Sequence, residues 1–311
     1  MTAYRIGTRG SALALWQAGK VSGLLNASGI ETELVILKTT GDRVQDVPLS
    51  DAGGKRLFVK EIEDALLAGD VHLAVHSAKD MPADLVDGLA VAAALPRDDP
   101  RDAVILPSSS RLRSAPDVAA LEAVLGREAV VGTSSVRRSA QLRAVFPAAS
   151  FEPVRGNVDT RLRKLDDGGY DALVLAAAGL NRLGLSSRIT MLLPIDQCVP
   201  APGQGIIAVE ARARDRDVLR VLAALNDAAA AASLIAERAL VSALGGGCQL
   251  PLGGVALQVN GELEMHAVVA ARDGSRMVKA TGCSPGSGAE ALGRHIADEL
   301  LAKGASEILS Q

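Results

Sequence analysis

The sequence predicts an α/β fold, with two α/β domains around a cleft followed by a small C-terminal α+β domain. Three observations carry this. Short apolar runs alternate with helix-period segments along most of the chain, which argues for largely parallel sheets. Two proline-rich stretches, 96–101 and 194–202, interrupt that alternation where hinges are expected. Beyond the run Gly245-Gly246-Gly247-Cys248 the pattern turns antiparallel.

Taken in order, residues 4–8 read as a strand, and 11–27 as a helix with Leu13, Trp16 and Leu24 on one face. A strand at 34–37, a helix at 57–67 and strands at 71–75 and 89–95 follow. After the first break come a strand at 103–106, a helix at 117–125, a strand at 129–132 and a helix at 135–145. A strand at 150–154, a helix at 158–165 and a strand at 172–175 complete that series. After the second break, 206–210 reads as a strand and 227–244 as a long Ala-rich helix. Strands at 255–259 and 262–270 flank an Asn260-Gly261 turn, and 290–301 is a final helix. The breaks divide the chain into domain one (1–98 plus 200–222), domain two (99–199) and domain three (223–311).

Composition narrows the function. A chain of 311 residues with 48% hydrophobic and 22% charged residues can bury a real core and suits two or three domains. A net charge of -3 and 2% aromatics speak against a nucleic-acid partner, which needs basic surface and stacking platforms. The three cysteines, Cys198, Cys248 and Cys283, form neither a disulfide framework nor a zinc-spaced pair, so no metal is expected and a reducing compartment is. Arg5 and Arg9 before the apolar run at 12–16 mimic a signal peptide, but that run is shorter than the roughly seven residues an h-region needs. A cytoplasmic protein with no membrane partner is expected.

Several polar residues are out of place for a mere scaffold. In Gly132-Thr133-Ser134-Ser135-Val136-Arg137-Arg138, Ser134 or Ser135 caps a helix and two arginines fall in its first turn. The helix dipole is positive there, so a bound anion would repair the arrangement. Arg155 ends a strand, Asn157 is placed to cap the next helix, and Arg161 lies one turn in. Arg9 and Ser11 stand between the first strand and first helix. Arginines in such places favour oxyanions, carboxylate or phosphate. No phosphate loop or dinucleotide glycine fingerprint is present, which disfavours nucleotides.

In His76-Ser77-Ala78-Lys79-Asp80-Met81-Pro82, a buried strand gives way to polar residues, with Asp80 placed at its end. A fixed carboxylate there can stabilise a developing cation. The glycines before Cys248 free the backbone and leave room for a bulky group at the sulfur.

Together these residues resemble the porphobilinogen deaminase family over nearly the whole chain. The matching segments are TRGSALALWQA (8–18), FVKEIE (58–63), AVHSAKDMP (74–82), RDDPRDA (97–103) and VGTSSVRR (131–138). RGNVDTRL (155–162), AAGLNRLGL (177–185), PGQG (202–205), ERAL (237–240) and GGCQLP (246–251) continue the series. The resemblance implies two periplasmic-binding-protein-like domains and a third that carries a cysteine. It implies a transferase that condenses four porphobilinogen molecules head to tail, with release of ammonia, into linear hydroxymethylbilane. Growth would occur on one dipyrromethane cofactor joined through a thioether to Cys248, and the partners would be porphobilinogen and oligopyrrole intermediates, bound by a monomer.

By the same resemblance, Asp80 matches the catalytic aspartate, stabilising the azafulvenium cation left when ammonia departs. Lys79, Thr133, Ser134, Ser135, Arg137, Arg138 and Arg161 match cofactor contacts. Arg9, Ser11, Lys55, Phe58, Arg155 and Arg182 match substrate contacts. The chain departs from the family in reading Lys55-Arg56-Leu57-Phe58 where Lys-Gly-Leu-Phe is usual, and in Asp51 where some members have lysine. The rival readings are a non-catalytic anion-binding cleft protein, which needs neither Asp80 nor a Gly-flanked Cys248, and a DNA-binding regulator, which net charge disfavours.

Overall fold

The computed structural model describes residues 3–43, 59–126, 128–246 and 250–310. Its strands are β1 (Tyr4–Thr8), β2 (Thr32–Ile36), β3 (Leu73–Ser77), β4 (Leu89–Ala94) and β5 (Asp102–Ile105). β6 (Val130–Gly132), β7 (Ser150–Glu152), β8 (Ala172–Ala176), β9 (Met191–Leu192) and β10 (Ile207–Arg212) follow. β11 (Leu252–Val259), β12 (Glu262–Ala270) and β13 (Met277–Ser284) complete the set.

The first lobe is a sheet of order β2-β1-β3-β10-β4 and the second a sheet of order β7-β6-β8-β5-β9. The two orders are the same. In each sheet one strand is antiparallel, and it is the first strand after a passage between lobes: β5 in the second lobe and β10 in the first. The sheets are therefore mostly parallel with one reversed strand, a periplasmic-binding-protein-like arrangement. Reversal has a functional consequence. Ile207 opens β10 opposite Ser77 at the end of β3, and Asp102 opens β5 opposite Ala176 at the end of β8. Both passages thus deliver their residues to the carboxyl ends of the parallel strands, where α/β sheets bind ligands.

Each lobe closes its own core. Helix Ala12–Ala27 buries Ala18, Val21 and Leu25 against Ile6, Leu73, Val75 and Val209. In the second lobe Leu121 and Leu142 pack on Val104, Val131 and Val174, while Leu162, Leu165 and Leu180 cover the other face. Burying each such leucine stabilises the fold by about 1.5–3 kcal/mol.

The third sheet, β11-β12-β13, is antiparallel and is covered by helices Ala228–Ala243 and Ala289–Ala302 through Leu240, Ile296 and Leu300. It joins the hinge through one buried carboxylate. Glu237 receives Arg97 at 2.6 Å, the Ala256 N–H at 2.7 Å and the Gly203 N–H. No single described helix is long and apolar enough to cross a membrane.

Candidate active site

β3 ends two residues later than its apolar run suggests, so His76 lies inside the strand, 3.2 Å from Glu210 in a buried pair. The chain then makes one tight turn over Ala78–Asp80. The Ala78 N–H turns aside to the Ile206 carbonyl at 3.0 Å, and Met81 N–H closes on the Ala78 carbonyl at 3.2 Å. The turn is seated on the passage 202–205. A Cβ on Gly203, where φ is +76°, would lie 2.8 Å from the Ala78 carbonyl carbon and the Lys79 nitrogen, so only glycine fits there. Lys79 and Asp80 are half-buried, and the Lys79 ammonium donates to Gln204 Oε1 at 3.3 Å.

Across the cleft, Ser135 is the helix cap: its Oγ accepts from the Arg138 N–H at 3.4 Å. Ser134 donates to the Val154 carbonyl at 2.7 Å, and Thr133 Oγ1 accepts from the Ser135 N–H at 3.3 Å. Part of the counter-charge that the first-turn arginines call for is supplied by the chain itself. Asp102 Oδ2 receives Arg137 Nη1 at 2.7 Å, and Oδ1 receives Arg138 Nε at 2.9 Å. Arg137 also reaches the Val199 carbonyl at 2.7 Å, and Arg138 the Val174 carbonyl at 3.0 Å.

Asp102 offsets one of the two guanidinium charges, so the expectation of an outside anion narrows to the positive charge that Asp102 leaves over. Burial alone would raise the Asp102 carboxyl, but the two guanidiniums and the bonds from Arg137 and Gln204 hold it well below the usual range. Burial, then the Asp102 charge, push the neighbouring Cys198 thiol up to about 12, so it is inert. Arg137 keeps one buried atom, Nε, with no hydrogen-bond partner among the described residues.

Arg155 and Arg161 come from the next strand-to-helix junction. Asn157 occupies the cap position of helix Val158–Asp166 without making the side-chain bond expected of it. Arg161 Nε donates instead to the Gly156 carbonyl at 2.7 Å. Burial, then Arg138 and Arg155, lower the Arg161 guanidinium to about 10 against the opposing pull of Asp80. Burial, then Arg138, bring the Lys79 ammonium down to about 8, with Asp80 and Asp102 opposing and Arg137 adding to the fall. Cations from both lobes therefore crowd one region, with the Asp80 carboxylate among them.

This crowding has a pH signature. Lys79 is charged below about pH 8 and neutral above it. Affinity for a polycarboxylate is expected to weaken as pH rises through about 8, and Lys79→Arg should remove that step. The effect on stability has the opposite sign. The folded value lies below the unfolded one, so the charge opposes folding below about 8, and stability rises between about 8 and 10.5. Calorimetric titration and thermal melts across this range check both.

The remaining residues separate. Ser11 caps its helix, its Oγ accepting from the Ala14 N–H at 3.3 Å, and Arg9 lies half-buried just beyond β1. Arg182 turns to the hinge, donating to the Gly205 carbonyl at 2.6 Å, 3.6 Å from Asp98 and beside the Trp16 ring. Asp51, Lys55, Arg56, Phe58 and Cys248 lie outside the described residues. Gly245 and Gly246, which lead to Cys248, both have positive φ, +85° and +54°. The residue-level reading passed over Asp102 and Gln204. Their local signals are weak, an acid at the first strand position after the hinge and an amide between two glycines, although both fall in the family segments at 97–103 and 202–205.

Residues 4–220 match the description "Porphobilinogen deaminase, dipyromethane cofactor binding domain", and residues 231–302 match "Porphobilinogen deaminase, C-terminal domain". The chain belongs to the porphobilinogen deaminase family. The porphobilinogen deaminase of Methylobacillus flagellatus is 48% identical over 307 residues, covering 98% of this chain and 96% of that one. That of Syntrophobacter fumaroxidans is 45% identical over 309 residues, covering 99% and 97%. Among solved structures, the second substrate binding domain of a putative amino acid ABC transporter from Streptococcus pneumoniae has a TM-score of 0.44 at 11% identity, over 72% of this chain and 91% of that one.

The chain is thus a transferase of tetrapyrrole synthesis. It condenses porphobilinogen stepwise, with loss of ammonia, into linear hydroxymethylbilane on a dipyrromethane primer held covalently by cysteine. The non-catalytic anion-binding reading is not favoured.

Proposed function

We propose that the cation cluster of Lys79, Arg138, Arg155 and Arg161 holds the carboxylates of the primer and growing chain, with Asp80 facing the reacting carbon. The observation that carries this is that Lys79 and Arg161, from opposite lobes, are both lowered by burial and then by the same neighbouring cation, Arg138. Cations held this close, without enough acid to balance them, are relieved by bound anions. Each pyrrole carries an acetate and a propionate, so a polycarboxylate fits the charge. The dipyrromethane, when bound to Cys248, supplies the primer's nucleophilic terminal carbon.

This chain's residues do the rest. Asp80 stabilises the cation left on the substrate as ammonia leaves, and its pyrrole N–H groups. Arg138 and Arg161 anchor carboxylates. Arg137 contributes from behind, through its tie to Asp102. Arg9 and Ser11 extend the surface at the end of β1, and Ser134, Thr133 and Ser135 shape its wall through the bonds already described. Arg182 acts at the hinge. Lys55 and Phe58 belong to the same reading through the family pattern alone.

The chain is proposed to work as a cytoplasmic monomer without nucleic-acid or membrane partners, divided at 1–98 plus 200–222, 99–199 and 223–311. Arg161→Ala and Arg155→Ala test the cluster. Each is expected to raise KM for porphobilinogen about tenfold or more, since a charge-assisted hydrogen bond contributes about 1.5–3 kcal/mol. Unchanged KM in both would make them surface arginines.

A further inference from the structure

We propose that Gln204 is a positioning residue that couples Lys79, in the turn of the first lobe, to the Asp102–Arg137–Arg138 ion network of the second. The inference rests on Lys79 being a cleft cation and adds a route by which the two walls act together. Gln204 is 1% exposed and sits in the second passage between lobes. Its Oε1 accepts from the Lys79 ammonium at 3.3 Å. Its Nε2 donates to Asp102 Oδ1 at 2.9 Å and to the Pro100 carbonyl, in the first passage, at 2.7 Å. One amide therefore joins both passages and both walls.

The charges fix its sense. The acceptor end faces an ammonium and the donor end a carboxylate; a flipped amide would meet like polarity at both ends. Between opposite charges, each hydrogen bond polarises the other. The backbone is fixed as well. Gly203 and Gly205 flank Gln204 with φ of +76° and +88°, and a Cβ on Gly205 would lie 2.4 Å from the Asp98 carbonyl oxygen. Arg97 Nε clamps the Gln204 carbonyl at 2.9 Å.

Aspartate or glutamate here would repel Asp102, and a hydrocarbon would leave Lys79 without its neutral acceptor. Glutamine is the side chain that satisfies both. The groups that act on Lys79 are Arg138 and Arg137 from the helix, Asp80 from the turn and Asp102 from β5. Gln204 stands between Lys79 and the last of these, Asp102.

The test uses the holoenzyme and reads Lys79 itself. Trace acetylation with acetic anhydride at a series of pH values, followed by peptide mass spectrometry, gives the Lys79 titration midpoint without turnover. Gln204→Leu is expected to lower that midpoint by roughly one unit, since a hydrogen bond to the charged form is lost. Gln204→Glu is expected to raise it, because a carboxylate then faces the ammonium. Both should lower kcat about tenfold, with smaller changes in KM. Should the Glu variant fail to fold beside Asp102, Gln204→Met must still reproduce the downward shift. A midpoint unmoved in Leu and Met variants, with only the melting temperature lowered, would overturn the coupling and leave Gln204 a packing residue. Because no substrate is needed, that failure is distinct from a failure of the carboxylate-binding cluster.

Discussion

Asp80→Ala is expected to leave the protein folded and loaded with its primer but to cut kcat on the order of a hundred- to a thousandfold. Asp80 is the acid in the turn after β3, acting on Lys79 on its own side and on Arg161 across the cleft. Departure of ammonia leaves positive charge on the substrate carbon, in a region whose other charged groups are mainly cations. Without a carboxylate nearby, that charge would form against repulsion. The neutral isostere Asp80→Asn should lose nearly as much, since shape survives and charge does not. The Ala78–Asp80 turn is held by backbone bonds and by Gly203, so the substitution does not undo it. Steady-state assay of product alongside circular dichroism measures this. Wild-type rates would remove Asp80 from the chemistry.

Cys248→Ser is expected to abolish turnover while sparing the fold. A thiolate captures a carbon electrophile readily and yields a thioether that hydrolysis does not easily undo; a serine hydroxyl is a far weaker nucleophile at neutral pH. The other described cysteines do not replace it. Cys198 is buried with its thiol pushed up to about 12, and Cys283 is exposed on β13 of the third sheet. The third domain is tied in elsewhere, by Glu237 to Arg97, Gly203 and Ala256. The fold should survive, but with a lower melting temperature, because the variant lacks the primer carboxylates that relieve the crowded cations.

How much of this the sequence showed depends on the kind of residue. Alternating apolar runs revealed the two lobes because buried parallel strands read as continuous Val, Leu and Ala. They did not show which strand is reversed. β5 and β10 carry the same apolar signature as their parallel neighbours, and direction is set by the passages that feed them. β13 escaped because its inward residues, Val278, Ala280 and Gly282, are small and carry little hydrophobic signal. Helix Arg216–Ala223 escaped for its shortness, although Asp215 caps it and Val218 and Leu222 fall one turn apart on its buried face.

In the site, local patterns found Lys79, Asp80 and the arginines because each sits where its charge is unwelcome. The same patterns missed the carboxylate that partly balances Arg137 and Arg138. Asp102 is thirty-five residues from Arg137, and only the antiparallel entry of β5 brings it there. Gln204 carries no charge, so its position between Lys79 and Asp102 could only be seen in three dimensions.

The central claim is that this chain builds its product on a primer anchored at Cys248, and the intact mass of the purified protein under denaturing conditions tests it most directly. After exposure to porphobilinogen, the wild-type chain should carry a covalent excess equal to two pyrrole units, and Cys248→Ser should have the mass of the bare polypeptide. A wild-type chain that stays at the bare mass, or an excess that persists in Cys248→Ser, would contradict the account.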